Sequence, residues 1–523
     1  MTETTPNPPC VQDPVADFLA KFVALLPGSP GDCPAPMQVA MAALGGGERA
    51  KAVLHGFGEL LRLADRPWSQ SATMLDEEQA VAAAAHRIVL PLQQVRLQAQ
   101  ADVIEAALAG RATCQVAGCG ARMHSRGRES RTLQGRHGKL QLVLRRSVCI
   151  GEDCGRTVAV AARQLGIGTQ RFTPACAEAV THLATALPHG KAVSTLAQLL
   201  HIDVSEHAAQ DLVQARGAAL LALDQAAAND HDPYEPSGLQ RESVGRPADS
   251  VPAADAREVA YLEIDGVLPM TRELNPETSH EVPGARGGKG RKYTLEGREV
   301  KNAVLYTAAD HAQEMPSRGC LLRKTYVSYL GHWQAFALLV WLAMLRLRYD
   351  QSKLLVVLSD GAEWIRSLAN WLPMKGRVVP ILDFFHAAHR IWEVTRLIYG
   401  DDTDLCRARA RMWCEVVQMG HVQMVIDELA DWHDSRPAVQ DKIDALVTYF
   451  NNNKDRMQYD EYTKRGLRIT SGIVESANFH VTGARLKQQG MRWSEQGARE
   501  LALLRADLCS DRWNVRTRQL LAA

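Results

Sequence analysis

The run Val259-Ala260-Tyr261-Leu262-Glu263-Ile264 ends in Asp265-Gly266, and Leu354-Leu355-Val356-Val357-Leu358-Ser359 ends in Asp360-Gly361. Each is a short apolar segment with the length and composition of a buried strand, closed by a carboxylate and by a residue that lets backbone approach closely. A single Asp-Gly pair is ordinarily a turn. Two of them, each after a buried-type strand, instead place two carboxylates at strand ends, where side chains are held rigidly. A third acid fits with them. Glu475 follows a Ser-Gly turn in Thr470-Ser471-Gly472-Ile473-Val474-Glu475-Ser476-Ala477 and opens a helix. Alone, a glutamate in that place serves the helix dipole. With Asp265 and Asp360 it completes a carboxylate triad able to hold two divalent cations about 3.5–4 Å apart, as two-metal phosphodiester chemistry requires. Mg2+ (or Mn2+) suits such an oxygen site.

Working outward, the pattern predicts strands over 258–264, 299–307, 323–329, 353–358 and 377–382, with a helix over 332–349 between the third and fourth. Strand, strand, strand, helix, strand, helix, strand is the ribonuclease-H order. Residues 257–523 are therefore expected to form a ribonuclease-H-like α/β catalytic domain. Residues 384–450 are helical throughout, and a second helical block runs over 472–508. One more acid, Asp383, ends Val378-Val379-Pro380-Ile381-Leu382 and precedes Phe384-Phe385-His386. From residue chemistry alone, Asp383 competes with Asp360 as the second metal ligand. His386, one helical turn on, could orient the site or contact the scissile phosphate. Beyond Glu475, Arg485, Lys487 and Arg492 put cations where a DNA backbone would pass.

The N-terminal half has a different character. Residues 1–14 carry several prolines and read as disordered, and 15–110 read as a helical region rich in Ala, Leu and Gln. Residues 111–165 turn to cysteines, glycines and arginines around the alternating run Lys139-Leu140-Gln141-Leu142-Val143-Leu144-Arg145-Arg146. Cys114-x4-Cys119 and Cys149-x4-Cys154 are matched pairs flanking that run. Two cysteine knuckles joined by a β hairpin suit tetrahedral structural Zn2+, so this segment is expected to be a zinc-ribbon-like β module. Between Arg111 and Arg171 twelve Lys/Arg stand against three Asp/Glu, a surplus that gives the module, Arg145 and Arg146 included, an electrostatic reason to meet phosphate backbones. Residues 166–226 return to helix. Helix over 193–200, a short turn, and a second helix capped by Ser205 match a helix-turn-helix. Residues 227–256, rich in Pro, Asp and Ser, read as a linker.

The whole chain has 523 residues, which favours several domains, with 60 basic residues against 59 acidic ones. Bulk charge thus gives no argument for nucleic acid, and only local patches do. No apolar run approaches the ~20 residues of a membrane span, and the N-terminus has neither the basic start nor the apolar core of a secretory signal. A cytoplasmic protein with reduced or metal-bound cysteines is expected.

Taken together these residues resemble the DDE transposases of bacterial insertion sequences, most closely the ISKra-four family, with Mutator-like relatives. The matching pieces are Glu263-Ile264-Asp265-Gly266-Val267, Leu358-Ser359-Asp360-Gly361-Ala362-Glu363-Trp364-Ile365, Ile381-Leu382-Asp383-Phe384-Phe385-His386-Ala387-Ala388 and Ser471-Gly472-Ile473-Val474-Glu475-Ser476-Ala477. The most specific is Gly483-Ala484-Arg485-Leu486-Lys487-Gln488-Gln489-Gly490-Met491-Arg492-Trp493-Ser494. The resemblance covers residues 110–513 and implies that Asp265, Asp360 and Glu475 are the metal-binding triad. It makes Asp383 and His386 an auxiliary pair and residues 384–470 an all-α insertion in the catalytic domain. It implies DNA cleavage and strand transfer with two Mg2+ (or Mn2+) ions and a structural Zn2+. The partners it implies are the element's terminal inverted repeats and target DNA, met in the nucleoid by at least a dimer. Asn478-Phe479-His480, after Glu475, departs from the pattern by being more aromatic than expected. Another ribonuclease-H-like nuclease, or a domesticated DNA-binding protein without catalysis, are the alternatives.

Overall fold

The computed structural model describes residues 73–522 apart from 109–111, 115–118, 152–153, 168–170, 253–257, 275–292, 316–317 and 402. The segment 1–14 and most of the helical region expected over 15–110 lie outside the described residues. The chain is a mixed α and β protein that divides into two compact units, residues 1–183 with 190–206, and residues 184–189 with 207–523.

In the first unit, helix α1 (Met74–Ala107) begins at a capping box in which Thr73 and Asp76 satisfy each other's backbone N–H groups. Strands β1 (Met123–Gly135) and β2 (Gly138–Cys149) form a long antiparallel hairpin, with β3 (Thr157–Ala159) on the other side of the end of β2. The alternation read in β2 is real: Leu140, Leu142 and Leu144 are buried while Lys139, Gln141, Val143 and Arg145 are exposed. Leu133, Leu142 and Leu144 pack with Ala101 of α1 and with Ala161 and Ala162 of α2 (Val160–Gln164). Helices α3 (Pro174–Ala186) and α4 (His189–Leu200) follow. The second helix of the expected helix-turn-helix, α5 (Glu206–Asp230), runs almost wholly in the second unit, whereas α4 runs almost wholly in the first.

The second unit is built on a five-stranded sheet. Its strands are β4 (Val259–Val267), β7 (Val300–Thr307), β10 (Thr325–Leu330), β11 (Leu354–Ser359) and β12 (Val378–Leu382). They lie in the order β10-β7-β4-β11-β12; β7 runs antiparallel to both neighbours, and β4, β11 and β12 are parallel. All five fall where the sequence predicts strands, because each is a run of buried apolar residues. Two polar hairpins escaped that reading: β5 (Met270–Leu274) with β6 (Tyr293–Gly297), and β8 (His311–Met315) with β9 (Arg318–Leu321). Strands β5 and β6 are mostly exposed and give no apolar signal. Helices α6 (Trp333–Leu347) and α7 (Glu363–Trp371) flank β11 in sequence.

The described part of the segment read as a linker is docked at several points. Tyr234 donates to the carbonyl of Trp371, Arg246 forms a bidentate pair with Asp350 at 2.9 and 3.1 Å, and the N–H of Val251 bonds the carbonyl of Arg346. Asp224 of α5 receives a bidentate bond from the buried Arg516 and a further one from Arg346 at 2.9 Å.

Five helices follow the sheet: α8 (Phe384–Tyr399), α9 (Asp404–Gln418), α10 (Val422–Ala430), α11 (Pro437–Asn453) and α12 (Tyr459–Lys464). They share one core with Tyr261, Val304, Tyr306, Tyr326, Val356, Leu358 and Ile381, all of which point to a single face of the sheet. The chain then returns through α13 (Gly472–Ala477), a π-helical turn over Asn478–Gly483, and the short α14 (Ala484–Leu486). It closes with α15 (Glu495–Cys509) and α16 (Trp513–Ala522). Among the described residues no helix is long and apolar enough to cross a membrane.

Candidate metal centres

The two cysteine knuckles meet in the first unit. The Sγ atoms of Cys114 and Cys154 are 3.6 Å apart, those of Cys119 and Cys149 3.5 Å, and all four lie within 4.8 Å of one another. None of the four is in a disulfide. A tetrahedral Zn2+ with Zn–S bonds of about 2.3 Å would separate its thiolates by about 3.8 Å, close to this spacing. A Cβ on Gly151 would stand 3.1 Å from the Cys119 sulfur and 3.5 Å from that of Cys149, so the knuckle needs glycine to close. The Gly151 N–H draws the Cys149 thiol down, but burial and the three neighbouring thiols push it up to about 12. Four free thiols converging this closely form a donor set that suits a metal site.

The second centre is a lateral row of polar side chains across the sheet of the second unit. Ser328 of β10 pairs in register with Asn302 of β7, and Asn302 pairs with Asp265 of β4. On the parallel side the last rungs pair Ile264 with Ser359 and Ser359 with Leu382. Asp360 and Asp383, each one residue further on, continue the row. Five strands thus deliver Ser328, Asn302, Asp265, Asp360 and Asp383 at one level, above the apolar face that carries the core.

Each acid is held by local backbone. The Asp265 carboxylate accepts the Gly266 N–H at 2.7 Å and the side-chain amide of Asn478. Burial pushes its carboxyl up to about 6; the Gly266 N–H opposes that shift, the nearby Asp360 charge adds to it, and His386 and Asn478 oppose it. Asp360 accepts the Ala362 N–H at 3.0 Å, and its carbonyl accepts the Tyr449 hydroxyl at 2.7 Å. Gly361 has φ +94°, and a Cβ there would meet Leu382 at 2.8 Å and the Tyr449 ring at 3.1 Å, which accounts for the glycine after this aspartate. Asp383 is fully buried, caps α8 through the Phe385 N–H at 2.7 Å, and accepts the Ser471 hydroxyl. Nε2 of His386 lies 3.9 Å from the Asp383 carboxylate and 3.7 Å from that of Glu475, which is half exposed.

The tightest group is Asp383, His386 and Glu475, which offer one ligand atom each within 4.8 Å. Asp265 and Asp360, expected with Glu475 as the primary ligands, lie outside that group and next along the row. Asp383 and His386, given only a supporting role by the resemblance, stand in it. A buried carboxylate without a cationic partner is costly, and a divalent cation drawn in by this row would remove that cost.

Sequence reading missed the groups that hold the row together. Glu263, fully buried two residues before Asp265, accepts the Tyr306 hydroxyl at 2.6 Å and the Val474 N–H at 2.9 Å, tying β4 to the helix that carries Glu475. Its signal was a charge inside an apolar run. Asn302, an amide inside a buried strand, gave a similar sign.

Among the cations expected to hold DNA, Arg485 is corrected. It is fully buried, donates to the Ala184 carbonyl at 3.2 Å, and stacks on Trp493 at 5.0 Å. Burial lowers its pKa, with Arg505 contributing, to about 10. Its guanidinium is an internal brace. Lys487 and Arg492 are exposed, as are Arg145 and Arg146 on β2. Arg145 also lies 3.9 Å from Glu105.

No curated protein matches the chain. Residues 332–515, which run from α6 through α15 and include Asp360, Asp383, His386 and Glu475, match the model of an uncharacterised protein family (UPF0236).

Proposed function

We propose that this chain is a DNA transposase of the DDE type, with a ribonuclease-H-like catalytic domain split by an all-α insertion. One observation carries the reading: the strand order β10-β7-β4-β11-β12, with only β7 reversed, sets Asp265 and Asp360 side by side on adjacent central strands. A helix returning after the insertion brings Glu475 to the same row. A ribonuclease-H-like order of elements along the chain is expected from the sequence, and this sheet supports that reading.

Asp265, Asp360 and Glu475 would hold two divalent cations, Mg2+ or Mn2+, with Asp383 and His386 beside them. Such ions supply activation of the attacking oxygen and stabilisation of the leaving one. The protein's own residues do the positioning. Strand ends fix Asp265 and Asp360, the Glu263 carboxylate anchors the start of the Glu475 helix, and His386, beside Asp383 and Glu475, would orient the site or contact the scissile phosphate. Lys487 and Arg492 are free to meet the DNA backbone. The zinc module, with Arg145 and Arg146 exposed on its hairpin, would bind the terminal inverted repeats. Joining two ends calls for at least a dimer, working on nucleoid DNA in the cytoplasm.

The test is a labelled element end incubated with purified protein and Mg2+ or Mn2+. Nicking at the end and joining to target DNA are expected, and Asp265→Ala should lose both while retaining end binding. Cleavage of any structured nucleic acid without end preference would favour another ribonuclease-H-like nuclease. Binding without chemistry from the unmodified protein would favour a DNA-binding protein that has lost catalysis.

A further inference from the structure

Asn302 accepts two hydroxyl donors on its Oδ1, from Ser328 at 2.6 Å and from Thr482 at 3.0 Å. Its Nδ2 donates to Oδ1 of Asn478 at 2.7 Å. The Nδ2 of Asn478 donates to the Asp265 carboxylate. Hydroxyls can donate or accept, so the direction is set at this far end of the chain, where the acceptor-only Asp265 carboxylate takes the Asn478 amide N–H and leaves the Asn478 oxygen to accept from Asn302. The chain of bonds has one direction, hydroxyl to amide to amide to carboxylate, and Asn302 is buried at 1 % exposure. Reversing Asn478 would set its oxygen against the Asp265 carboxylate and its N–H against that of Asn302, and reversing Asn302 would set its oxygen against that of Asn478. Asn478 also stands at the first position of the π-helical turn, three residues after Glu475. Wide turns of this kind recur at functional sites, where they re-aim a side chain.

We infer that Asn478 is a positioning residue, held by Asn302, Ser328 and Thr482, which fixes the Asp265 carboxylate for a divalent cation and locks it in step with the helix that carries Glu475. This rests on the reading of Asp265 as a metal ligand. One Asp265 oxygen is engaged by its neighbour's backbone N–H and the other by Asn478, so the carboxylate cannot rotate. Its remaining lone pairs then keep a constant direction. A donor behind a ligating carboxylate is worth about 10–100-fold in metal affinity or activity.

The experiment uses the full chain, stripped of metal, with Mn2+ itself as the probe. Mn2+ is titrated into the unmodified protein, Asn478→Ala, Asn478→Asp and Asn302→Asp, and free Mn2+ is followed by its electron paramagnetic resonance signal. Thermal melting of each variant is recorded alongside, with end nicking over a range of Mn2+ concentrations. Asn478→Ala is expected to weaken Mn2+ binding about tenfold with a melting temperature close to the parent's. Asn302→Asp leaves Asn478 and Asp265 in place but removes the N–H that orients Asn478, and is expected to give the same loss. Asn478→Asp sets a second carboxylate beside Asp265. It is expected to keep or tighten Mn2+ binding while slowing nicking at saturating metal. A purely structural residue would move affinity, nicking and melting temperature together, so the split in Asn478→Asp is the discriminating result.

Mn2+ affinities in Asn478→Ala and Asn302→Asp equal to the parent's would overturn the inference even if the parent cuts DNA. A parent that binds no Mn2+ would overturn it as well. A parent that binds Mn2+ but never nicks DNA would sink the proposed function alone, because the affinity comparison stands without activity.

Discussion

The Ser471 hydroxyl donates to the fully buried Asp383 carboxylate, joining two residues 88 positions apart. Asp383 is the last residue before the helical segment and Ser471 is the N-cap residue of the returning helix. The neighbouring Phe384 N–H bonds the Ile469 carbonyl at 2.9 Å, so the helical segment leaves and returns to the edge of the sheet at one point. This closure lets more than eighty residues intervene without displacing Glu475 from the row. Ser471 makes no side-chain cap to its own helix, so its hydroxyl serves Asp383.

Ser471→Ala should therefore remove a donor from a buried carboxylate. Leaving such a group short of a partner costs about 1–3 kcal/mol, more when it is charged. Urea unfolding of metal-free protein should show that loss, and Ser471→Thr should recover part of it. Unchanged stability in Ser471→Ala would mean that Asp383 finds another donor and that the closure is not energetically important.

A second prediction concerns the hairpin of the first unit. The Gln98 amide accepts from the Val143 N–H at 2.9 Å and donates to the Val143 carbonyl at 3.0 Å. Gln94 does the same for Gln141, and Glu105 accepts from the Arg145 N–H. Strand β3 pairs only with Arg146, Ser147 and Val148, which leaves the rest of that β2 edge to the helix. Four residues of helix rise about 6 Å and two residues of strand about 6.6 Å, so glutamines four apart match alternate residues of β2. Helix α1 thus uses side chains as a substitute strand, covering an edge that would otherwise be a template for pairing. Gln94→Ala with Gln98→Ala should lower stability only by about 1–2 kcal/mol, since water can replace exposed bonds. It should raise self-association, seen by light scattering as a concentration-dependent increase in mass. A double variant with the parent's mass at every concentration would show that the edge needs no cover.

The five central strands were legible because burial on the sheet demands apolar runs, and those runs end where the polar row begins. The acids of the row were legible for the same reason: Asp265, Asp360 and Asp383 each close an apolar run. Asn302 and Asn478 were not assigned a role, because an amide acquires direction only from partners that chain folding brings from far away. Asn478 and Asp265 are 213 positions apart. Arg485 was misread for a related reason. Its neighbours Lys487 and Arg492 are exposed, and basic composition does not say which of three nearby cations turns inward to Trp493. The docking of the segment after α5 was hidden because Pro, Asp and Ser mark irregular backbone without saying whether it is packed.

Removal of metal from the four-cysteine centre gives a third prediction. If Cys114, Cys119, Cys149 and Cys154 hold Zn2+, the purified protein should release about one Zn2+ per chain to a strong chelator, measured with a colorimetric zinc indicator. Cys149→Ser should release none from this site. The chelated protein should lose protection of the β1–β2 hairpin against proteolysis, because the knuckles clamp the open ends of those strands. Binding of Zn2+ by Cys149→Ser with the parent's affinity would remove the cysteines from the role.

The last prediction follows from Glu263. Burial pushes its carboxyl up to about 7 from an ordinary 4.5; the Tyr306 hydroxyl, the Val474 N–H and Arg468 oppose the shift, and Asp383 adds to it. The folded protein therefore binds this proton more tightly than the unfolded chain does. Its contribution to stability is fully present below pH 4.5 and is lost as pH rises through about 7. A shift of this size corresponds to about 3 kcal/mol at one site. Asp265, raised to about 6, adds a similar slope in metal-free protein, which bound cations would reduce. Glutamine imitates the protonated acid: its oxygen can accept the Val474 N–H while its amide donates to the Tyr306 oxygen. Glu263→Gln should then match the parent near pH 4.5, become the more stable protein by pH 8, and flatten the pH dependence between. Chemical denaturation in chelator at a series of pH values measures this directly. Parallel curves for parent and variant would mean that Glu263 stays ionised in the fold, with Arg468 and the Val474 N–H outweighing its burial.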